Sequence, residues 1–426
     1  MAQRVFITGL GALTATGESA QSTWQAVLAG QQSLKDVTLW DLSSWSHRLG
    51  GELQTYNPSS ILPDRKLIKV ISRQDVIGIA AGVQAMEQSQ LPAYYAQLSE
   101  EDKASFEHDS AIYVGSPGNK FFQQYDFLPL IAKSQGNMRA FAEQLFSEVH
   151  PMWLLRILPN NVLAYLGITY GFKGVNHNIT NHAVSGMQAL LEAYQAIASG
   201  QASRAIVVGY DIGTDPQAMY YYDKLGLLSA RDLKPFDVDH DGTILAEGAS
   251  AVILESEVAV TARNGARWAE VVGGATATEA QGLFAVDPEG VALQHLLSDT
   301  LQQCRLSPTD IGMVIAHGNG SYQSDTTEAK AIIGAFANTP VPVSAFKWSM
   351  GHTLCASGIL DAVLGVQAMQ ERCIPGVANL QRLAAECSAL NMNATHREWH
   401  PDRQHMLVIN RGFASMNACV VLRECR

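Results

Sequence analysis

No apolar run in the 426-residue chain reaches the roughly 18 residues that a membrane span needs. The N-terminus enters a strand-like pattern at once, and nothing marks secretion. Cysteine is sparse: Cys304, Cys355, Cys373, Cys387, Cys419 and Cys425 form neither CxxC pairs nor a disulfide framework. The expectation is a reduced, cytoplasmic protein without membrane contact. Positive charge is short as well. Lys and Arg total 29 against 40 Asp and Glu, and the net charge of −11 argues against nucleic acid as the main partner. An acidic protein partner would need a local basic patch. Charged residues are 16% and hydrophobic ones 47% of the chain, which excludes intrinsic disorder and leaves a core large enough for two fused domains or pseudo-repeats.

Strand-like runs lie at 4–11, 110–115, 205–209, 249–255, 312–316, 341–344 and 419–422. Between them fall amphipathic segments of helical length around 20–31, 72–89, 136–147, 184–200, 290–304, 325–337 and 356–372. This alternation predicts an α/β fold with buried, largely parallel strands. The strands form two sets that divide near residue 258, with no low-complexity linker between them and almost no shared identity.

The most informative stretch is Ile179-Thr180-Asn181-His182-Ala183-Val184-Ser185-Gly186-Met187-Gln188. A sharp turn there leads into a helix-periodic run, with Val184, Met187, Leu190, Leu191, Tyr194 and Ile197 on one broad face. Position 183 would sit at the helix N-terminus, where the dipole and free N–H groups lower a thiol's pKa and favour developing negative charge. Three further stations follow. Ile315-Ala316-His317-Gly318-Asn319-Gly320-Ser321, with Asp325 and Glu328 beyond it, puts an imidazole at a strand's C-terminal edge, where α/β proteins build sites. In Lys347-Trp348-Ser349-Met350-Gly351-His352 a lysine precedes Gly-His at a helix entry, and Asn410-Arg411-Gly412-Phe413-Ala414-Ser415-Met416-Asn417 precedes the final strand. Each alone is weak, since a histidine after a strand is commonly structural and two acids suit a solvated helix start. Their order and content together are specific.

Taken along the whole chain, these stations resemble the elongating β-ketoacyl-acyl-carrier-protein synthases, as do Thr8-Gly9-Leu10-Gly11, Lys234-Pro235-Phe236-Asp237 and Glu247-Gly248-Ala249. That family carries its nucleophilic cysteine at the position of Ala183. The resemblance implies a thiolase-like fold of two fused, pseudo-equivalent halves in a layered α-β-α-β-α arrangement, an N-terminal half 1–258 and a C-terminal half 259–426. It implies that His317 and His352 donate hydrogen bonds to a malonyl thioester and to the enolate left by decarboxylation. Lys347 would lie near Asp325 and Glu328 and set the electrostatics of the site. Phe413 would gate the acyl pocket, its N–H completing an oxyanion hole with that of position 183. No metal or other cofactor is implied, only substrates carried on the phosphopantetheine of acyl carrier protein. The region around 205–209 resembles the part that joins two subunits' sheets, so a homodimer is expected.

The chain departs from the family at several points. Asn319 and Ser321 stand where two threonines contact pantetheine, and both can still hydrogen-bond. The gate reads Gly-Phe-Ala-Ser-Met-Asn instead of Gly-Phe-Gly-Gly-Thr-Asn, which should stiffen it. His182 is bulkier than the usual neighbour and is read as packing. Cys355, in the decoy Cys355-Ala356-Ser357-Gly358, is read as a small hydrophobe. Arg65, Lys66 and Lys69 precede a long helix, where cations are unfavourable, and align with the family's carrier-protein docking cluster. The aromatic runs Phe121-Phe122-Gln123-Gln124-Tyr125 and Met219-Tyr220-Tyr221-Tyr222 suit either a substrate tunnel or a dimer face.

Making a C–C bond from a thioester needs a thiolate that holds one acyl chain and donors aimed where enolate charge develops. The donors are present and the thiolate is not. Three readings follow: a condensing acyltransferase disabled by an introduced Cys→Ala change, a natural cysteine-less decarboxylase of malonyl-carrier protein, and a non-catalytic chain-length partner of an active synthase. A thiolase ranks last, because its second cysteine has no counterpart before Cys419 and Cys425, beyond the Gly-Phe loop.

Overall fold

The computed structural model describes residues 3–425 apart from 56, 63, 119–126 and 338, so the aromatic run at 121–125 lies outside the described residues. Ten strands form one sheet: β1 (Val5–Thr14), β2 (Ser110–Gly115), β3 (Asn176–Ile179), β4 (Arg204–Ile212), β5 (Glu247–Ser256), β6 (Ala269–Thr278), β7 (Ile311–Ile315), β8 (Val343–Ser344), β9 (His405–Gly412) and β10 (Met416–Glu424). Six helices matter here: α1 (Arg73–Ser89), α2 (Ser185–Ala198), α3 (Pro216–Lys224), α4 (Val291–Gln303), α5 (Tyr322–Ala335) and α6 (Ser357–Gln370).

The strand order is β8-β7-β9-β10-β6-β1-β5-β4-β2-β3. Counted outward from the β1/β6 seam, the first five strands run first, fifth, fourth, second, third, and the last five repeat that order. The seam is short, Val5–Ile7 against Ala269–Val271. Helices α2 and α6 touch strands on both sides of it, while α1 covers β1, β5 and β4, α4 covers β6 and β10, and α5 packs on α4. Five layers result, helix and sheet alternating. Strands β1, β4 and β5 are buried along their whole length because both faces are covered, so they read as continuous apolar runs without alternation. The close fit depends on small residues: a Cβ on Gly9 or Gly11 would fall 2.1 Å from the Ala85 carbonyl oxygen or 2.0 Å from that of Ala81, on α1. The face of α2 predicted to be apolar is buried except for half-buried Tyr194, whose hydroxyl donates to the Val272 carbonyl at 2.9 Å.

Two expectations are corrected. The sheet is not largely parallel: β8, β7 and β9, like β3, β2 and β4, run parallel, but every pairing nearer the seam is antiparallel. For β9 and β10 the cause is the three-residue connection Phe413–Ser415, which is too short for a crossover. The strand at 205–209 is not itself the joining edge, because β4 is interior and paired with both β2 and β5; among the described residues the free edge of that region is β3, two strands away. Among the described residues no helix is long and apolar enough to cross a membrane.

Candidate active site

Strand β3 leads into a tight turn that ends in α2. His182 occupies the turn with φ of 50°, a left-handed conformation that a non-glycine residue adopts at a cost. Its carbonyl accepts from the Ser185 N–H at 3.1 Å, the Ser185 hydroxyl at 2.6 Å and the Cys355 thiol at 3.1 Å. The ring stacks on Phe413 with centroids 4.3 Å apart, and Tyr222 lies against both rings, 5.1 Å from Phe413 and 6.3 Å from His182. His182 Nδ1 accepts the Phe413 backbone N–H at 3.2 Å, while Nε2 lies 3.1 Å from the Tyr222 hydroxyl. Burial pushes this imidazole down to about 4, so it is neutral at neutral pH. Ala183 is fully buried one residue further on and is not part of the cavity wall.

His317 follows β7 and His352 follows the short helix Lys347–Met350; their ring centroids are 5.0 Å apart, edge to face. Nδ1 of His317 accepts the Arg411 N–H and Nδ1 of His352 accepts the Leu354 N–H, each at 3.3 Å. With Nδ1 an acceptor in both, the proton is assigned to Nε2, giving two N–H donors side by side. Burial, reinforced by the Lys347 ammonium, drives both imidazoles well below their ordinary value and keeps them neutral.

Asp325 and Glu328 are buried, not a solvated helix start. Glu328 accepts the N–H groups of His317 at 2.6 Å and Gly318 at 3.0 Å, and Asp325 accepts those of Phe236 at 2.7 Å and Gly320 at 3.2 Å. They brace the turn that carries His317. Gly318 is required there by φ of 47° and by Ala345, whose Cβ would lie 2.8 Å from any added Cβ. Burial raises the Glu328 carboxyl to about 7, opposed by the Arg411 charge and those two N–H groups. Lys347 does not pair with these acids. Its ammonium donates to Asp361 at 2.7 Å, with both side chains buried.

These groups converge on a cavity of about 380 Å³, lined among others by His182, Tyr222, His317, His352, Arg411 and Phe413. Asn319 and Ser321 are also in its wall, the Ser321 N–H and hydroxyl both donating to Asn319 Oδ1, at 3.0 and 2.9 Å. Among the described residues no group of His, Cys, Asp or Glu is placed to hold a metal ion.

The model of the beta-ketoacyl synthase N-terminal domain matches residues 2–259, and that of the beta-ketoacyl synthase C-terminal domain matches residues 268–381. The chain belongs to the beta-ketoacyl synthase family. It is 28% identical over 393 residues to 3-oxoacyl-[acyl-carrier-protein] synthase 2 of Synechocystis, covering 90% of each chain, and 26% identical over 431 residues to its namesake in Coxiella burnetii, covering 99% of this chain and 98% of that one. In fold it is similar to a beta-ketoacyl synthase from Burkholderia phymatum (TM-score 0.87, 23% identity) and to the ishigamide ketosynthase/chain length factor (TM-score 0.86, 22% identity), in each case over 100% of both chains. The fold is thus that of the thiolase-like ketosynthases.

Three residues of this cavity and its support, Arg411, Glu279 and Asp361, escaped the sequence reading, whereas Tyr222 belongs to an aromatic run read as either tunnel or dimer face. Arg411 is buried in the wall, with its guanidinium on Asn417 Oδ1 at 3.0 Å, the Ser324 carbonyl at 2.7 Å, the Thr327 hydroxyl at 2.9 Å and Glu279 at 2.8 Å. A charge inside an otherwise apolar strand was the available signal. Glu279 follows β6, whose paired glycines hid it as a strand. Tyr222 is the buried, cavity-lining member of the Met219–Tyr222 run, while Tyr220 and Tyr221 are exposed. Asp361 is one acid in the apolar α6. The decoy resolves as expected. Cys355 is buried in a single 3₁₀ turn, and burial next to Asp211 raises its thiol well above the ordinary value. Arg65, Lys66 and Lys69 are all exposed on one 3₁₀ turn ahead of α1, away from the cavity wall.

Proposed function

We propose that this chain takes a malonyl thioester from the phosphopantetheine of an acyl carrier protein and releases its carboxyl group as carbon dioxide, without joining the remaining two carbons to an acyl chain. It is a 3-oxoacyl-[acyl-carrier-protein] synthase in ancestry, and the decarboxylative Claisen condensation of that class stops here at its first half. The observation that carries the reading is the pair of neutral Nε2–H donors on His317 and His352. When the bond between the methylene and the carboxylate breaks, its electron pair forms an enolate whose charge rests on the thioester oxygen. Two donors fixed in a buried site stabilise that oxygen. Loss of carbon dioxide leaves a carbanion that takes a proton from water, giving acetyl-carrier protein. Ala183 provides no sulfur to hold a second acyl group, and Phe413 closes the acyl side.

Asn319 and Ser321 would meet the pantetheine, Asp325 and Glu328 would brace the turn that carries His317, and the Lys347 charge would help keep both imidazoles neutral. The half 1–258 supplies the turn at Ala183 and the half 259–426 supplies the histidines. Arg65, Lys66 and Lys69 form the docking patch that an acidic carrier needs on a chain of net charge −11. The protein would act as a homodimer and need no further cofactor. The mutual fit of His182, Tyr222 and Phe413 supports a naturally cysteine-less protein over an introduced change, since a lesion at one codon would not refit its neighbours. The same fit favours a second reading, a non-catalytic partner of an active synthase, because it takes the Phe413 N–H out of use. Mass spectrometry of malonyl-carrier protein incubated with the chain decides between them. Conversion to acetyl-carrier protein without any β-ketoacyl product is expected. No conversion, together with a stable complex with a second ketosynthase, would establish the partner role instead.

A further inference from the structure

We propose that His182 is the specificity-determining residue of this cavity, a built-in occupant of the acyl side. Its imidazole accepts the Phe413 N–H that an acyl thioester carbonyl would otherwise accept, and it fills the space beside Tyr222 and Phe413, so the site admits a malonyl arm and excludes a longer chain. The inference rests on the reading of the cavity as a site for carrier-borne thioesters.

Four observations support it. The ring is tied at both nitrogens, Nδ1 to the Phe413 N–H at 3.2 Å and Nε2 to the Tyr222 hydroxyl at 3.1 Å. The first bond fixes the tautomer, because Nδ1 can accept only when it carries no proton. The ring is also part of an aromatic wall: Phe413 lies parallel to it at 4.3 Å, and Phe284 meets Phe413 edge-on at 5.3 Å. The backbone holds the ring there, since φ of 50° aims the side chain and three donors to the His182 carbonyl lock the peptide. Finally, His182 lines the cavity whereas Ala183 is fully buried, so the residue that decides what enters at this turn is the one before the family's nucleophile position.

The two effects, a donor occupied and a space filled, separate by substitution. His182→Phe keeps a ring in the space but frees the N–H, and His182→Ala removes both. Binding of two stable thioester mimics, malonyl-pantetheine amide and octanoyl-pantetheine amide, is measured by calorimetry on the full chain. The parent should bind the malonyl mimic at least tenfold more tightly than the octanoyl one. His182→Ala should bind the octanoyl mimic at least tenfold better than the parent does, and His182→Phe should continue to exclude it. Tyr222→Ala opens the same space from the other side and should also admit the octanoyl mimic, which serves if His182→Ala does not fold. A parent that binds both mimics equally, or folded His182→Ala and Tyr222→Ala variants that exclude the octanoyl mimic as the parent does, overturns the proposal. A parent that shows this selectivity yet never decarboxylates malonyl-carrier protein would defeat the proposed reaction and leave the role of His182 standing.

Discussion

The Lys347 ammonium and the Asp361 carboxylate meet at 2.7 Å, and neither side chain reaches solvent. A buried pair of this kind compensates two desolvation costs at once, so losing one partner is far worse than losing both. Asp361→Ala should lower unfolding stability by about 3–5 kcal/mol, while Lys347→Met combined with Asp361→Leu should cost much less. Urea unfolding checks this, and equal losses in the single and double variants would show that the pair does not act as a unit.

A thiol at the cavity wall should react where a buried one does not. His182→Cys should acquire an acyl group from octanoyl-CoA as the imidazole leaves its space, whereas Ala183→Cys with His182 in place should not. Intact mass with peptide mapping distinguishes them. An adduct on residue 183 alone would mean that the family's nucleophile position remains in use.

Decarboxylation should fall by roughly 10²-fold or more when either His317 or His352 becomes Ala, as loss of a fixed donor predicts. Both imidazoles titrate well below 6.5, so they should add no step to the rate between about pH 6 and 8, where the Glu328 carboxyl at about 7 is the group that titrates. A midpoint near 6.5 that persists in Glu328→Gln would show that the histidines are not held neutral.

Acid should destabilise the fold through His182. Its folded value of about 4 lies below the ordinary 6.5, so the unfolded chain binds the proton first as pH falls. The stability it contributes is therefore complete above 6.5 and lost progressively down to about 4. His182→Phe should show a shallower decline of melting temperature over that window than the parent.

Changing Arg65, Lys66 and Lys69 to Glu should slow carrier-protein association and flatten its dependence on salt, with the melting temperature nearly unchanged, because exposed charges contribute little stability. Stopped-flow titration of labelled carrier at low and high salt measures it. Unchanged association at low salt would place docking elsewhere.

Helices were the legible part of this fold. The periodic segments around 72–89, 184–200 and 356–372 became α1, α2 and α6 within a residue or two at each end, since their apolar spacing reports burial directly. Strand β6 was missed because Gly273 and Gly274 interrupt its run, and β3 because Asn176, His177 and Asn178 give it no apolar face. Strand direction was misjudged since burial on both faces looks the same in parallel and antiparallel strands. At the site, His317 and His352 were found from motifs that keep their neighbours. The partners of Lys347 and His182 could not be read that way. Asp361, Tyr222 and Phe413 reach them from remote segments, and only the folded arrangement brings them within hydrogen-bond distance.

The bond from Cys355 to the His182 carbonyl has a consequence for chemical damage. No cysteine lines the cavity, and the Cys355 thiol beneath the His182 turn is buried, protonated and engaged at 3.1 Å. Oxidation and alkylation proceed through an accessible thiolate, and this cavity offers none. Peroxide or an electrophile that attacks a thiolate therefore finds no cysteine target in the cavity wall, and the cavity should keep its ligand binding after treatment with either.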